Sequence, residues 1–218
     1  MPVDDLHRQV ARIALGAAAR HGFALGGGNA LIAHGIIDRP TEDVDLFTDE
    51  DGGVAAAAGV VEAALRAHGY TAEREVRLAE LAEVFYGLED GLAEWVITAP
   101  DGRQAVLQLA RIDRDRRPVT MDIGPVLDLE DVVGSKVCAL AGRAEVRDFV
   151  DTAAALSRYS VPELIGFARR LDPGLTDADF ADAGARLDRL ADRVFTRYGL
   201  SPADVTRLRE RLAAWPRP

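Results

Sequence analysis

Apolar side chains between Asp4 and Arg20 fall at Leu6, Val10, Ile13, Ala14 and Ala17, a spacing that predicts a helix. Phe23-Ala24-Leu25 reads as a short strand that runs straight into Gly26-Gly27-Gly28. Asn29 to His34 is a short helix by composition, closed by Gly35. Asp43-Val44-Asp45-Leu46-Phe47 alternates polar and apolar with period two, which predicts a half-buried strand. Val54 to His68 is alanine-rich and helical, stopped by Gly69. Tyr70–Val76 and Glu94–Thr98 read as strands. Pro100-Asp101-Gly102-Arg103 is a hairpin turn, Gln104–Ala110 the returning strand, and Val119–Ile123 a last short strand.

From Asp128 onward the pattern is helical throughout. Helices are predicted at 128–142, 145–158, 161–171, 177–198 and 202–214. Asp128 followed by Asp131 resembles an N-terminal cap, and Ser201-Pro202 is a cap with proline at the first helical position. Segment 177–198 puts Leu187, Leu190, Val194, Phe195 and Tyr198 on one face. The organisation expected is a mixed α/β domain over 1–126 and an all-helical domain over 127–218, with no internal repeat.

Composition narrows the class. A chain of 218 residues, 48% hydrophobic and 28% charged, can bury a substantial core and is not a disordered segment. No run approaches 18 uncharged apolar residues, which excludes a transmembrane helix. The opening MPVDDLHRQVARIA resembles neither a signal peptide nor a basic transit peptide. Cys138 is the single cysteine, so no disulfide forms within the chain, and a cytoplasmic protein is expected. The net charge is −10, from 26 Lys+Arg against 36 Asp+Glu. Nucleic acid could then be held only by a local basic patch, because the global field repels phosphate. The candidate patch is Arg103 to Arg117, with Arg103, Arg111, Arg114, Arg116 and Arg117 against Asp113 and Asp115. All other cations being arginine, the lone lysine, Lys136, hints at a position that needs an ammonium.

Alternation places Asp43 and Asp45 on the same strand face, where two carboxylates repel unless a cation lies between them. A hard ion such as Mg²⁺ suits such oxygen donors. Upstream, the glycines between strand and helix let a backbone approach a phosphate. Fourteen residues separate Gly28 from Asp43. Glycines for a triphosphate and carboxylates for its metal form the layout of metal-assisted nucleotidyl transfer. In the helical half, Lys136, Leu140 and Arg143 share one face, and Asp148 and Asp151 follow on the next helix after a tight connection. That connection can bring Lys136 and Asp151 together. The lysine would bind triphosphate as a point charge, and the aspartate would orient it or accept a proton; an interhelical salt bridge is the structural alternative. Toward a third carboxylate on the sheet, the strand Val106-Leu107-Gln108-Leu109 offers only Gln108. Asp122 is an alternative, and Asp151 is the first candidate base. His7, His21, His34, His68 and Cys138 lack zinc-ligand spacing.

These residues carry a resemblance. Gly27-Gly28-Asn29-Ala30-Leu31 with Arg39-Pro40-Thr41-Glu42-Asp43-Val44-Asp45-Leu46-Phe47 is similar to the first motif of the AbiEii/AbiGii-type nucleotidyltransferases, which include the MenT toxins. Lys136-Val137-Cys138-Ala139-Leu140, Arg143 and Arg147-Asp148-Phe149-Val150-Asp151 resemble that family's helical motif. The resemblance implies an α+β fold of the DNA polymerase beta-type nucleotidyltransferase kind, with a helical domain completing the active site. It implies Asp43, Asp45, Lys136 and Asp151 as catalytic residues, and Asp43 and Asp45 as ligands of Mg²⁺. Gly27, Gly28, Asn29, Arg39, Thr41, Lys136, Arg143 and Asp148 would bind the NTP. The implied acceptor is the tRNA 3′ end, whose modification blocks aminoacylation, and the implied partner is a cognate antitoxin. Thr41, beside the metal strand, is an expected phosphorylation site for a partner kinase. Two other readings stand beside it: transfer to a cationic small molecule of the antibiotic kind, and a non-catalytic nucleotide-binding module.

Overall fold

The computed structural model describes residues 4–75, 91–196 and 198–218. Val76, the end of one predicted strand, and Arg197, within a predicted helix, lie outside the described residues. The chain divides into two compact units, Met1–Leu129 and Glu130–Pro218.

The first unit runs α1 (Asp5–Ala17), a 3₁₀ turn (Ala19–His21), β1 (Ala24–Leu25), α2 (Gly27–Ala33), β2 (Asp43–Thr48), α3 (Gly53–Ala67) and β3 (Thr71–Arg74). It continues with β4 (Leu92–Thr98), β5 (Gln104–Arg111), β6 (Val119–Met121) and β7 (Gly124–Val126). The strands form one mixed sheet in the order β3-β4-β5-β2-β1-β7-β6. β2 pairs parallel with β5 and β1 parallel with β7, and the other pairings are antiparallel. Period-two alternation sends Val44, Leu46, Trp95, Ile97, Leu107 and Leu109 to one face, where all are fully buried. α1 and α3 pack on each other and on the sheet, burying Leu6, Val10, Ala14, Val54, Ala57, Val61 and Leu65. Each large aliphatic so buried contributes about 1.5–3 kcal/mol relative to exposure.

Two local expectations change. The first helix stops at Ala17, short of Arg20, and the chain passes through the 3₁₀ turn to Gly22 at φ 62°. The predicted strand 119–123 is shortened to β6, the first arm of a hairpin that turns through Asp122-Ile123 into β7, which Gly124 opens with φ 125°. Gly124-Pro125 argues against a strand locally; parallel pairing of Val126 with Leu25 imposes one.

The second unit, with the residue before it, contains α4 (Leu129–Gly142), α5 (Val146–Ala155), α6 (Val161–Leu171), α7 (Asp177–Arg189), α8 (Asp192–Thr196) and α9 (Pro202–Arg211). Ser160/Glu163, Thr176/Asp179 and Ser201/Asp204 form capping boxes that start α6, α7 and α9. Phe149, Phe180 and Phe195 are fully buried, and the Trp215 indole N–H donates to the Phe180 carbonyl at 3.0 Å. The predicted helix 177–198 is broken at Leu190, whose ψ is 126°. Arg209 accounts for the break: it donates to the carbonyls of Leu187 (2.9 Å) and Leu190 (2.6 Å) and pairs with Asp192 (2.8 Å), the first residue of α8. The break resets the helical phase, so Phe195 is buried while Tyr198, expected on the same face, is 51% exposed.

Candidate active site

In the first unit the site is built on the sheet face opposite α1 and α3. Asp43 and Asp45 point there from β2, half-buried, while Val44 and Leu46 point into the core. The glycine run lies directly against this strand. The Gly26 N–H donates to the Asp45 carbonyl at 2.8 Å. A Cβ on Gly26 would stand 2.2 Å from the Phe47 ring, on Gly27 1.7 Å from Asp45 Oδ2, and on Gly28 2.4 Å from Thr41 Cγ2. Gly27 also has φ 58°, the left-handed region that disfavours side chains. Three consecutive glycines are therefore required by close packing, and the Asp45 carboxylate rests where a Gly27 side chain would be. A phosphate held at Asp45 would meet bare backbone.

Asn29 is 1% exposed and its amide donates to the Asp43 carbonyl at 2.7 Å. It braces the start of β2 from inside. Its Oδ1 and the Thr41 Oγ1 are enclosed without hydrogen-bond partners. Thr41 turns its methyl onto Gly28 just before β2. Arg39 is half-exposed and bonds the Pro40 carbonyl at 3.2 Å.

Sheet register adds a residue that sequence reasoning missed. Asp45 pairs with Gln108 on β5, and Gln108 pairs with Glu94 on β4. The Gln108 amide donates to Glu94 Oε2 at 3.1 Å. A signal existed: the hairpin at 100–103 pairs Thr98 with Gln104, and stepping outward pairs Glu94 with Gln108. Asp122 is not a third carboxylate of this face. It sits in the β6–β7 turn near the far edge of the sheet, bound to Arg8 at 2.5 Å and Arg12 at 3.9 Å, contacts that lower its pKa.

The expected basic patch does not form as one surface. Arg103 and Arg111 stand at opposite ends of β5, roughly 25 Å apart for eight extended residues. Arg103 pairs with Asp101, Arg111 with Asp51 and Asp113, Arg114 with Asp49, and Arg116 with Asp128.

As a metal site, the strand offers two hard carboxylates on one face, with the side-chain-free backbone of the glycine run packed beside them. That suits Mg²⁺, which is held by one or two carboxylates plus substrate phosphates. Among the described residues no group of three or more His, Cys, Asp or Glu could hold a metal by itself. His34 and His68 bond the carbonyls of Leu127 and Ala64, each at 2.8 Å.

In the second unit α4 carries Lys136 and α5 carries Asp151, and Nζ lies 3.2 Å from Oδ2. The lysine side chain is 14% exposed and the aspartate 0%. Arg143 grips Asp148 with two hydrogen bonds of 2.9 and 3.0 Å, and Asp148 also accepts the Glu145 N–H at 3.1 Å. Ala144, at φ 49°, makes the left-handed turn that ends α4 and lets α5 fold back. Asp148 is thus a buried clamp on this turn, and Arg143 keeps its outer side half-exposed. Burial pushes the Cys138 thiol up to about 11, and it donates to the Ala168 carbonyl at 3.5 Å.

Comparison with known proteins places this geometry. JHP933 from Helicobacter pylori shares the fold over 97% of this chain and 92% of its own, with TM-score 0.59 and 14% identity. MenT4, the nucleotidyltransferase toxin Rv2826c from Mycobacterium tuberculosis H37Rv, does so over 95% of this chain and 82% of its own, with TM-score 0.63 and 16% identity. No curated protein matches the chain by sequence. The family model for the AbiEii nucleotidyl transferase toxins of type IV toxin–antitoxin systems matches residues 11–215, from α1 to the C-terminal tail, and the chain belongs to that family.

Proposed function

We propose that this protein is a Mg²⁺-dependent toxin that transfers a nucleoside monophosphate from an NTP to the 3′ hydroxyl of tRNA, blocking aminoacylation, under the control of a cognate antitoxin. The observation that carries the reading is the Asp45 carboxylate seated on the side-chain-free backbone of Gly27, with Asp43 on the same face. Asp43 and Asp45 would hold Mg²⁺, with the Gly27-Gly28 backbone toward the triphosphate. Bound there, the ion would neutralise charge on the phosphate oxygens and make the α-phosphorus more electrophilic. Lys136 supplies a compact positive charge for phosphate, and Asp151 orients it. Action on tRNA places the protein in the cytoplasm.

Thr41 is the proposed point of control. A phosphate on it would add about −1.5 to −2 charges beside the carboxylates and compete for the metal. Its Oγ1 is enclosed, so a kinase must first lift the segment before β2. Stoichiometric phosphorylation at Thr41 that leaves NTP affinity unchanged removes this part of the proposal.

One observation favours a second acceptor class. The arginines expected to track RNA are paired with aspartates, and the net charge of −10 suits a cationic small molecule. The deciding experiment incubates the protein with Mg²⁺, each labelled NTP, and either total tRNA or an aminoglycoside. Label on tRNA that disappears in Asp45→Asn supports the proposal. Label on the aminoglycoside supports the second reading, and absence of NTP binding refutes both.

A further inference from the structure

The register of the sheet puts two further carboxylates on the Asp43/Asp45 face, Glu94 on β4 and the exposed Glu73 on the edge strand β3, and Glu94 is a strand nearer to Asp45. Glu94 stands two strands from Asp45 in the same row, with Gln108 between them. Strand spacing of about 4.8 Å puts their backbones roughly 10 Å apart. Both side chains leave the sheet on one face, over a floor made by the Gln108 side chain. Glu94 is half-buried, and the Gln108 amide donates to its Oε2 at 3.1 Å, which fixes that oxygen and leaves Oε1 as a further acceptor. The neutral amide also separates carboxylates that would repel if placed on adjacent strands.

Asp151 does not suit the task of base. Its side chain is 0% exposed and its carboxylate is tied to Lys136 at 3.2 Å. A group so enclosed can orient its lysine but does not present an oxygen to an incoming hydroxyl. Burial and pairing make it a positioning residue.

We infer that Glu94, oriented by Gln108, is the general base that takes the proton from the acceptor hydroxyl. The inference rests on the nucleotidyl-transfer reading. In the step, the acceptor O–H bond breaks and its proton passes to Glu94. The acceptor oxygen forms a bond to the α-phosphorus, the bond from that phosphorus to the bridging oxygen breaks, and pyrophosphate leaves. Electrons and atoms balance without an oxidant or further reactant. A Gln at position 108 is then functional in its own right: it carries the carboxylate one strand further from the metal pair, leaving room between Asp45 and Glu94 for the acceptor.

The test uses the full-length protein and three variants: Glu94→Gln, Gln108→Leu and, as a reference, Asp45→Asn. Mg²⁺-dependent NTP binding is measured by calorimetry, and kcat and KM by transfer of labelled nucleotide to the acceptor identified for the wild type. Glu94→Gln should lose about 10²–10⁴-fold in kcat, the range for general-base catalysis, with NTP affinity and melting temperature unchanged. Gln108→Leu should lose part of that, again in kcat. Asp45→Asn should lose NTP–Mg²⁺ binding itself. Glu94→Gln that keeps kcat within twofold of wild type overturns the inference while leaving nucleotidyl transfer intact. Loss of NTP–Mg²⁺ binding in Glu94→Gln also overturns it, by making Glu94 part of the metal site. A wild-type protein that neither binds NTP nor transfers overturns the underlying reading and this one with it.

Discussion

Replacing Asp151 by Asn keeps the volume and removes only the charge, so it isolates what the Lys136–Asp151 pair does. In the native unit the aspartate side chain is fully buried and the lysine 14% exposed, with 3.2 Å between Nζ and Oδ2. Removing one member of a buried pair leaves the other desolvated and uncompensated, at a cost of about 3–5 kcal/mol. The residual exposure of Lys136 lets the ammonium regain some water, so the lower end, about 3 kcal/mol, is expected. For a chain of 218 residues, each kcal/mol moves the melting temperature by about 2–4 °C. A fall of about 6–12 °C should appear by circular dichroism. Lys136→Met/Asp151→Leu replaces the pair with apolar groups and should recover most of the loss, because no charge is left unpaired. That double variant should be stable and inactive, which separates the structural work of the pair from its chemistry. A fall of less than about 1 kcal/mol in Asp151→Asn, or a double variant no more stable than the single, would falsify the claim that the pair is held by mutual burial.

Gly27→Ala should abolish Mg²⁺-dependent NTP binding, since its Cβ would stand 1.7 Å from Asp45 Oδ2 at a φ of 58°. Gly59→Ala in α3, with nothing within 4 Å of the added Cβ, should instead stabilise by roughly 0.5–1 kcal/mol; urea titration of both checks the contrast. Asn29→Ala loses the 2.7 Å bond to the Asp43 carbonyl and should cost about 1–3 kcal/mol, with metal-dependent NTP affinity falling as β2 shifts. Equal affinity in the variant counts against Asn29 as a brace. Burial lowers the pKa of His7 despite the opposing charges of Asp4 and Asp43, so the folded state holds it neutral where the unfolded chain is protonated. Its contribution is fully present above about pH 6.5 and is lost as pH falls from there toward the lowered folded value. His7→Gln should flatten the urea midpoint between pH 6.5 and 5, and an unchanged pH slope would refute this.

Local sequence determined most of the elements and which faces of them carry Asp43, Asp45 and Lys136. Period-two alternation around Asp43 and Asp45 and the helical spacing of Lys136 are properties of single segments, and they persist because local steric rules dictate where each side chain points. The glycine run was legible as a place of close approach, and the cap at Ser201 as a helix start. Tertiary structure decided what depends on groups distant in the chain. Arg209 broke the helix 177–198 by taking the carbonyls of Leu187 and Leu190. β1 drew Gly124–Val126 into a strand against their propensity. Arg103 was set apart from Arg111 by the length of β5, and Arg111 and Arg114 were paired with Asp51 and Asp49 from an earlier segment. Glu94 reached the row of Asp45 only through the parallel pairing of β2 with β5, whose register no short segment encodes. Register is set by which apolar faces pack together across the whole sheet, and that is why it emerges only when the unit folds.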